Sequence, residues 1–343
     1  MSPSSASRDR GQTVQFLQHI ALLAVLAPSL ASAQDPQEPP PAAANSQNTL
    51  AVNVQVVALT AVVHDSKGNL ARNLSRDDFQ LKEDGQPQTI RYFNADNDLP
   101  LTIGLMVDTS GSQRDFADDE RRASATFLEE MITLPKDRAF VERFDSYALL
   151  LQQMTADVPK LKKSLDLLSA PVAPPKGTRG GTLLFDAICA TADKVVSKEP
   201  GRRALVILTD GDDNGSQQSM WAAISRAQLA DVAIYSVLYT KAALGLSNYG
   251  RTDGIEVMQQ ISSGTGGRAF VVTPGNTIKR IYAEIEEDLR TQYRVGYTPP
   301  GSAPGKFPTV ELTPVGKGLS IQVRTGYYTP AAPAVQANTS SKP

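Results

Sequence analysis

The chain has 343 residues, 41% of them hydrophobic and 20% charged, with a formal net charge of −2. That length and composition suit one large globular domain with a smaller companion, and the scattered Lys and Arg leave no electrostatic footprint for nucleic acid. One cysteine excludes an internal disulfide, and two histidines offer little to a zinc or copper centre.

Residues 1–33 read as an export signal. Arg8 and Arg10 give a positive start, Ile20 to Ala27 an apolar core too short for a mature anchor, and Ala31-Ser32-Ala33 a small-x-small cleavage pattern. No cysteine follows to take a lipid, and no later apolar run is long enough to span a membrane. The mature protein is expected in the periplasm or outside the cell, without a membrane span. Residues 34–49, rich in Pro, Ala and Gln, read as a flexible linker, and residues 329–343 as a tail of the same character.

Residues 50–97 read as strands of an accessory domain. VNVQVVALTAVVHD is β-branched with partial alternation, Asp65 to Gly68 makes a turn, Ser75 caps a short helical turn, and LKEDGQPQTIRYF is a hairpin turning at Asp84-Gly85. His64 lies on this stretch and reads as a strand or surface histidine.

Over 98–291 the rhythm becomes strand then helix. LTIGLMVD and ALVILTD are nearly continuous apolar strands, as in a parallel sheet buried on both faces. Strands are expected near 138–144 and 147–153, and helices near 157–169, in LLFDAICATADKVV, around 219–230 and at 254–263. The strands VAIYSVLY and RAFVVT continue the alternation, and Ile278, Ile281, Ile285 and Leu289 mark a closing helix. Cys189, in AICATA, belongs to a helix face as a small core residue. The pattern predicts a doubly wound, mostly parallel α/β sheet. Residues 292–328 return to strands, expected to join 50–97 in one small β domain.

Two strands end on aspartate, GLMVD at Asp108 and VILTD at Asp210, and between them the glycine-rich turn Gly177 to Thr182 opens a helix. In an open α/β sheet such ends line the ligand crevice. Asp108 is followed by Thr109, Ser110, Gly111 and Ser112, so the rim would offer two carboxylates and several hydroxyls. All-oxygen donors suit Mg²⁺, Mn²⁺ or Ca²⁺.

Asp108-Thr109-Ser110-Gly111-Ser112 resembles the D-x-S-x-S signature of the von Willebrand factor type A (VWA) domain, with the later threonine resembling Thr182 in GGTLLFDA and the later aspartate Asp210 in ILTDG. Thr178 lies on the same loop, but Thr182 directly precedes the helix. The wider layout resembles secreted bacterial VWA-related proteins. The resemblance implies a Rossmann-like domain with a metal-ion-dependent adhesion site. Ser110, Ser112 and Thr182 would contact a divalent cation, Mg²⁺ first, and Asp108 and Asp210 would hold it directly or through water. A carboxylate from a protein partner would complete the shell. Asp212 and Asp213 would stand behind the ligands or in solvent, and Asp186 on the helix start.

The expected function is therefore binding, without catalysis. The alternatives are an Mg²⁺-dependent hydrolase or phosphatase with Asp108 as nucleophile, and a structural module whose metal stabilises the rim. An aspartic protease needs a second Asp-Thr-Gly loop and an all-β fold, GTRGGT lacks the P-loop ending, and His64 alone after the signal gives no support to a Ser-His-Asp triad.

Overall fold

The structure, a computed structural model, describes residues 56–95, 99–169, 180–246, 253–301 and 306–329, all within one compact unit, Asn53–Pro343. The expected signal, the linker, the tail beyond Thr329 and Thr178 lie outside the described residues.

The first strand, β1 (Val57–His64), alternates buried and half-buried positions up to Thr60 and then buries Ala61, Val62 and Val63 in succession before the Asp65–Gly68 turn. A short 3₁₀ turn over Arg76–Asp78 follows. Ser75 is its N-cap, as expected, and the Asp78 carboxylate reaches back to accept from the Ser75 amide and hydroxyl at 2.7 and 2.8 Å. Strand β2 (Phe79–Glu83) turns through Asp84 and Gly85, both at positive φ (47° and 77°), into β3 (Gln86–Gln88). The hairpin is shorter than expected, since Tyr92–Asn94, β4, leaves for a different sheet.

Next come β5 (Leu101–Asp108), α1 (Ala117–Met131), β6 (Arg138–Phe144), β7 (Ala148–Thr155) and α2 (Val158–Leu165). Helix α3 (Leu184–Thr191) widens into a π-turn over Ala192–Val196, so the expected single helix changes its winding midway. Strand β8 (Arg202–Thr209), α4 (Met220–Leu229), β9 (Val232–Leu238), α5 (Asp253–Thr265), β10 (Ala269–Val271) and α6 (Ile278–Arg290) complete the alternation. Three strands return: β11 (Tyr293–Tyr297), β12 (Val310–Pro314) and β13 (Ser320–Gln322).

The central sheet has the order β10-β9-β8-β5-β6-β7, parallel except for β7. Every residue of β5 and β9 is buried, because helices cover both faces. Leu101, Ile103, Leu105 and Val107 pack with Phe127, Leu128 and Ile281 on one face, and Met106 packs with Ile188, Ile224 and Ile261 on the other. The chain leaves β5 toward β6 and later returns on the opposite side as β8. That reversal is the switch point, and it sets the ends of β5 and β8 side by side.

The flanking strands form small antiparallel sheets, β13-β1-β11-β4 and β12-β2-β3, around one apolar cluster that includes Leu59, Phe79, Leu81, Val295, Tyr297 and Leu312. His64 is not a plain surface residue: its Nε2 lies 3.3 Å from the buried Asp288 carboxylate of α6. Thr329, at the head of the expected tail, is buried and exchanges hydrogen bonds with the Lys306 backbone.

Candidate metal centre

The sheet delivers Asp108 at the carboxyl end of β5, 1% exposed and flanked by β6 and β8. Both of its carboxylate oxygens are engaged. Oδ1 accepts from the Ser110 amide at 2.9 Å, and Oδ2 accepts from the Thr209 hydroxyl at 2.7 Å. Thr209 is oriented in turn by the Gly211 amide, which donates to Oγ1 at 3.0 Å. Gly211 has φ +84°, and a Cβ there would lie 2.3 Å from the Gly254 carbonyl, so only glycine permits this turn.

Beyond Asp108 the chain folds back tightly. The Ser110 and Ser112 hydroxyl oxygens lie 3.1 Å apart at the rim, and the Gln113 amide closes the turn on the Ser110 carbonyl at 3.1 Å. Thr109, between Asp108 and Ser110, points elsewhere: its amide bonds the Phe144 carbonyl and its hydroxyl bonds Asp145 at 3.2 Å.

Asp210 follows β8 directly and is half-buried, with Oδ1 accepting the Asp212 amide at 3.1 Å. Thr182 is buried and braced by its backbone: its amide donates to Asn214 Oδ1 at 2.7 Å, and its carbonyl accepts from the Asn214 amide at 3.2 Å. Gly181 makes room for this clasp, since a Cβ there would meet Asn214 Oδ1 at 2.6 Å. Leu183 donates to the Asp145 carbonyl, so the Thr182 loop is pinned to the connections after both β6 and β8.

Four residues near this rim were not singled out from the sequence: Asp145, Asn214, Gln113 and Glu120. Asp145 directly follows β6, but Glu142 and Arg143 interrupt the apolar run before it, so it lacks the signal of the other two strand ends. It pairs with Arg143 at 3.1 Å and takes Thr109, so its charge is already balanced. Asp213 receives the Phe185 amide at the start of α3, and Asp186 receives the Gln217 and Gln218 amides. Both acids serve loop and helix-start amides.

The electrostatics are those of crowded acids. Burial foremost, with a further push from Asp210, lifts the Asp108 carboxyl to about 6 against the opposing bonds from Thr209 and Ser110. Glu120 is raised well above the usual carboxylate range by burial first, then by Asp108, Asp119 and Asp210. The donors at the rim are all oxygen, and a hard divalent cation is what such a set accommodates. Among the described residues no three acidic, imidazole or thiol groups gather closely enough to hold an ion by themselves, so hydroxyls must supply part of any shell.

The aspartate–hydroxyl loop thus sits at the switch point of a doubly wound, mostly parallel α/β sheet. No family model and no curated protein matches the chain. Solved structures similar to it include BatB, a conserved hypothetical protein of Bacteroides thetaiotaomicron (20% identity, 56% of this chain and 100% of that one, TM-score 0.42). The vWF domain of the type V pili tip protein Mfa5 from Porphyromonas gingivalis is another (12%, 55% and 94%, 0.41). A third is proximal thread matrix protein 1 from the mussel byssus with a zinc-occupied MIDAS motif (16%, 60% and 49%, 0.43); this chain spans about half of that protein.

Among the described residues no helix is long and apolar enough to cross a membrane. Cys189 is buried, and burial pushes its thiol up to about 11, as for an inert core residue.

Proposed function

We propose that this protein is an exported, divalent-cation-dependent binding module. Ser110, Ser112 and Thr182 would hold the ion through their hydroxyls, and Asp108 and Asp210 would hold it directly or through water. The bound ion would supply an electrophilic point of attraction for a carboxylate on a protein partner. Mg²⁺ is the first candidate, with Mn²⁺ and Ca²⁺ behind it. The observation that carries this reading is the pair of serine hydroxyls, 3.1 Å apart at the rim, rooted on the buried Asp108.

Binding is favoured over hydrolysis by the state of Asp108. A nucleophile needs a free oxygen and a path to substrate. Here both oxygens accept hydrogen bonds and the residue is 1% exposed, which impedes attack on a substrate atom, while the second lone pair of each oxygen stays open to a small ion or its water. The residues themselves do positioning work: Thr209 and Ser110 fix the carboxylate, Asn214 sets the Thr182 loop, and Thr109 and Arg143 hold Asp145 aside.

The test is calorimetry with Mg²⁺ and Mn²⁺ on the wild type and Asp108→Ala, then with glutamate-bearing peptides on the metal-loaded protein. The wild type should bind the metal and then the peptide, and the variant neither. Asp108-dependent turnover of a phosphate or peptide substrate would sink the binding reading. Metal uptake without any metal-linked carboxylate affinity would leave the ion a stabilising role only. Pull-downs from the cell envelope or medium, with and without chelator, would then identify the partner.

A further inference from the structure

Two side chains in the same cleft are buried with an acceptor oxygen unmatched. Gln113 and Glu120 are 2% and 1% exposed, and Oε1 of each has no hydrogen-bond partner. Both line a cleft of ≈500 Å³ together with Asp108, Thr109, Arg143, Asp145 and the exposed Arg114, and Asp108 is the one residue of the proposed cation site that this cleft shares. Gln113 spends its amide nitrogen on the Tyr239 carbonyl at 3.4 Å. Arg143, the buried cation of the cleft, is engaged with Asp145 and the Leu168 carbonyl.

A buried acceptor left unmatched costs roughly 1–3 kcal/mol, and more when charged. Two of them, facing one cleft beside a buried strand-end acid, call for a source of donors and of positive charge. Another carboxylate or a carbonyl offers neither. Water coordinated to a cation offers both, because the ion fixes its oxygen and turns its O–H bonds outward.

We infer that Glu120, assisted by Gln113, forms an inner polar wall that accepts hydrogen bonds from water in the shell of a cation held by Asp108, Ser110, Ser112, Thr182 and Asp210. This rests on the function proposed above and adds a positioning residue and a selectivity rule to it. An ion that keeps its waters suits such a wall. Mg²⁺ sheds water reluctantly and Ca²⁺ readily, so the wall favours Mg²⁺.

The experiment is titration of the whole protein with Mn²⁺, followed by electron paramagnetic resonance of the free ion, then competition by Mg²⁺ and Ca²⁺. Glu120→Gln keeps the shape and removes the charge. It should weaken Mn²⁺ about tenfold, the lower end of what outer partners contribute, and shrink the preference for Mg²⁺ over Ca²⁺. In chelator the same variant should melt above the wild type, because one of the crowded acids is gone. Gln113→Met should weaken Mn²⁺ more modestly. A Glu120→Gln protein that binds within twofold of the wild type with the same ion preference overturns the inference, as does one that melts lower in chelator with binding intact. Should that variant fail to fold, Gln113→Met at wild-type affinity overturns it. Wild type that takes up no Mn²⁺ defeats the metal reading itself, whereas equal binding by wild type and variant defeats only the role of the wall.

Discussion

Replacing Asp108 by Asn should make the metal-free protein relatively more stable as pH rises while destroying its metal response. The amide keeps the carboxylate's shape. Its Oδ1 can still accept from the Ser110 amide and its nitrogen can donate to Thr209 Oγ1, but the buried Thr209 hydroxyl then loses the Oδ2 acceptor it has in the wild type, a cost of roughly 1–3 kcal/mol that does not depend on pH. What disappears is the burial of a charge. The folded carboxyl titrates at about 6 against 3.8 for the free group, which corresponds to about 3 kcal/mol. The sign follows from a folded pKa above the unfolded one. The wild type suffers no penalty below about pH 3.8, and its stability falls as pH rises until the loss is complete above about 6. In chelator, the stability of Asp108→Asn relative to the wild type should therefore rise by about 3 kcal/mol between pH 4 and pH 7.5, roughly 5–10 °C in melting temperature. At pH 4 the variant should be the weaker by the cost of the Thr209 hydroxyl. Adding Mg²⁺ should raise the wild type by mass action and leave the variant unmoved. Urea unfolding at several pH values, with and without Mg²⁺, reads all of this. A difference that does not change with pH would refute the account of crowded acids.

Glu142 on β6 gives a second pH-dependent expectation. It is 4% exposed, and burial pushes its carboxyl up to about 7 although the Thr191 hydroxyl donates to it at 2.8 Å. Its folded pKa is raised, so stability is lost as pH climbs through 7. Glu142→Gln should gain up to about 3 kcal/mol at pH 8.5 and nothing near pH 4, with metal affinity unchanged. Asn214→Ala removes the acceptor of the Thr182 amide. It should cost about 1 kcal/mol of stability, speed hydrogen exchange at Thr182 and weaken Mg²⁺. An unaltered Thr182 exchange rate would show that the clasp does not set this loop.

Much of the fold is readable from the sequence because its central strands are buried on both sides. LTIGLMVD and ALVILTD can be nothing but interior strands, and the 3–4 spacing of Ile278, Ile281, Ile285 and Leu289 can only be an amphipathic helix. The strand-end residues are readable for the same reason, since an apolar run that stops on an acid marks the sheet's edge. What stays hidden depends on partners distant in sequence. Glu120 sits in ADDERR, a run that looks solvated, yet it is the one acid of that turn facing the cleft. Asp145 is masked because the antiparallel β7, and not a helix, follows it. The split of the first hairpin between two sheets depends on β11, some 200 residues later by sequence numbering.

The rim is fastened from every side, and this bears on what it can bind. The connection after β5 is held to the end of β6 by Thr109, and to β8 by Thr209. It is held to the end of β9 by Gln113 and by Tyr239, whose hydroxyl donates to Asp119 at 2.9 Å while its ring stacks on Phe116. A loop free to collapse would wrap any cation and would bind tightly without discrimination. A loop fixed by three strands presents its hydroxyls at set positions, so an ion must fit them and must find its remaining ligands elsewhere. The conformational cost of forming the site is met in folding and not in binding. On the proposed function, the like-charge cost is stored in Asp108 and its neighbours in the metal-free state, so removal of an acid should strengthen the fold and weaken the function at one stroke.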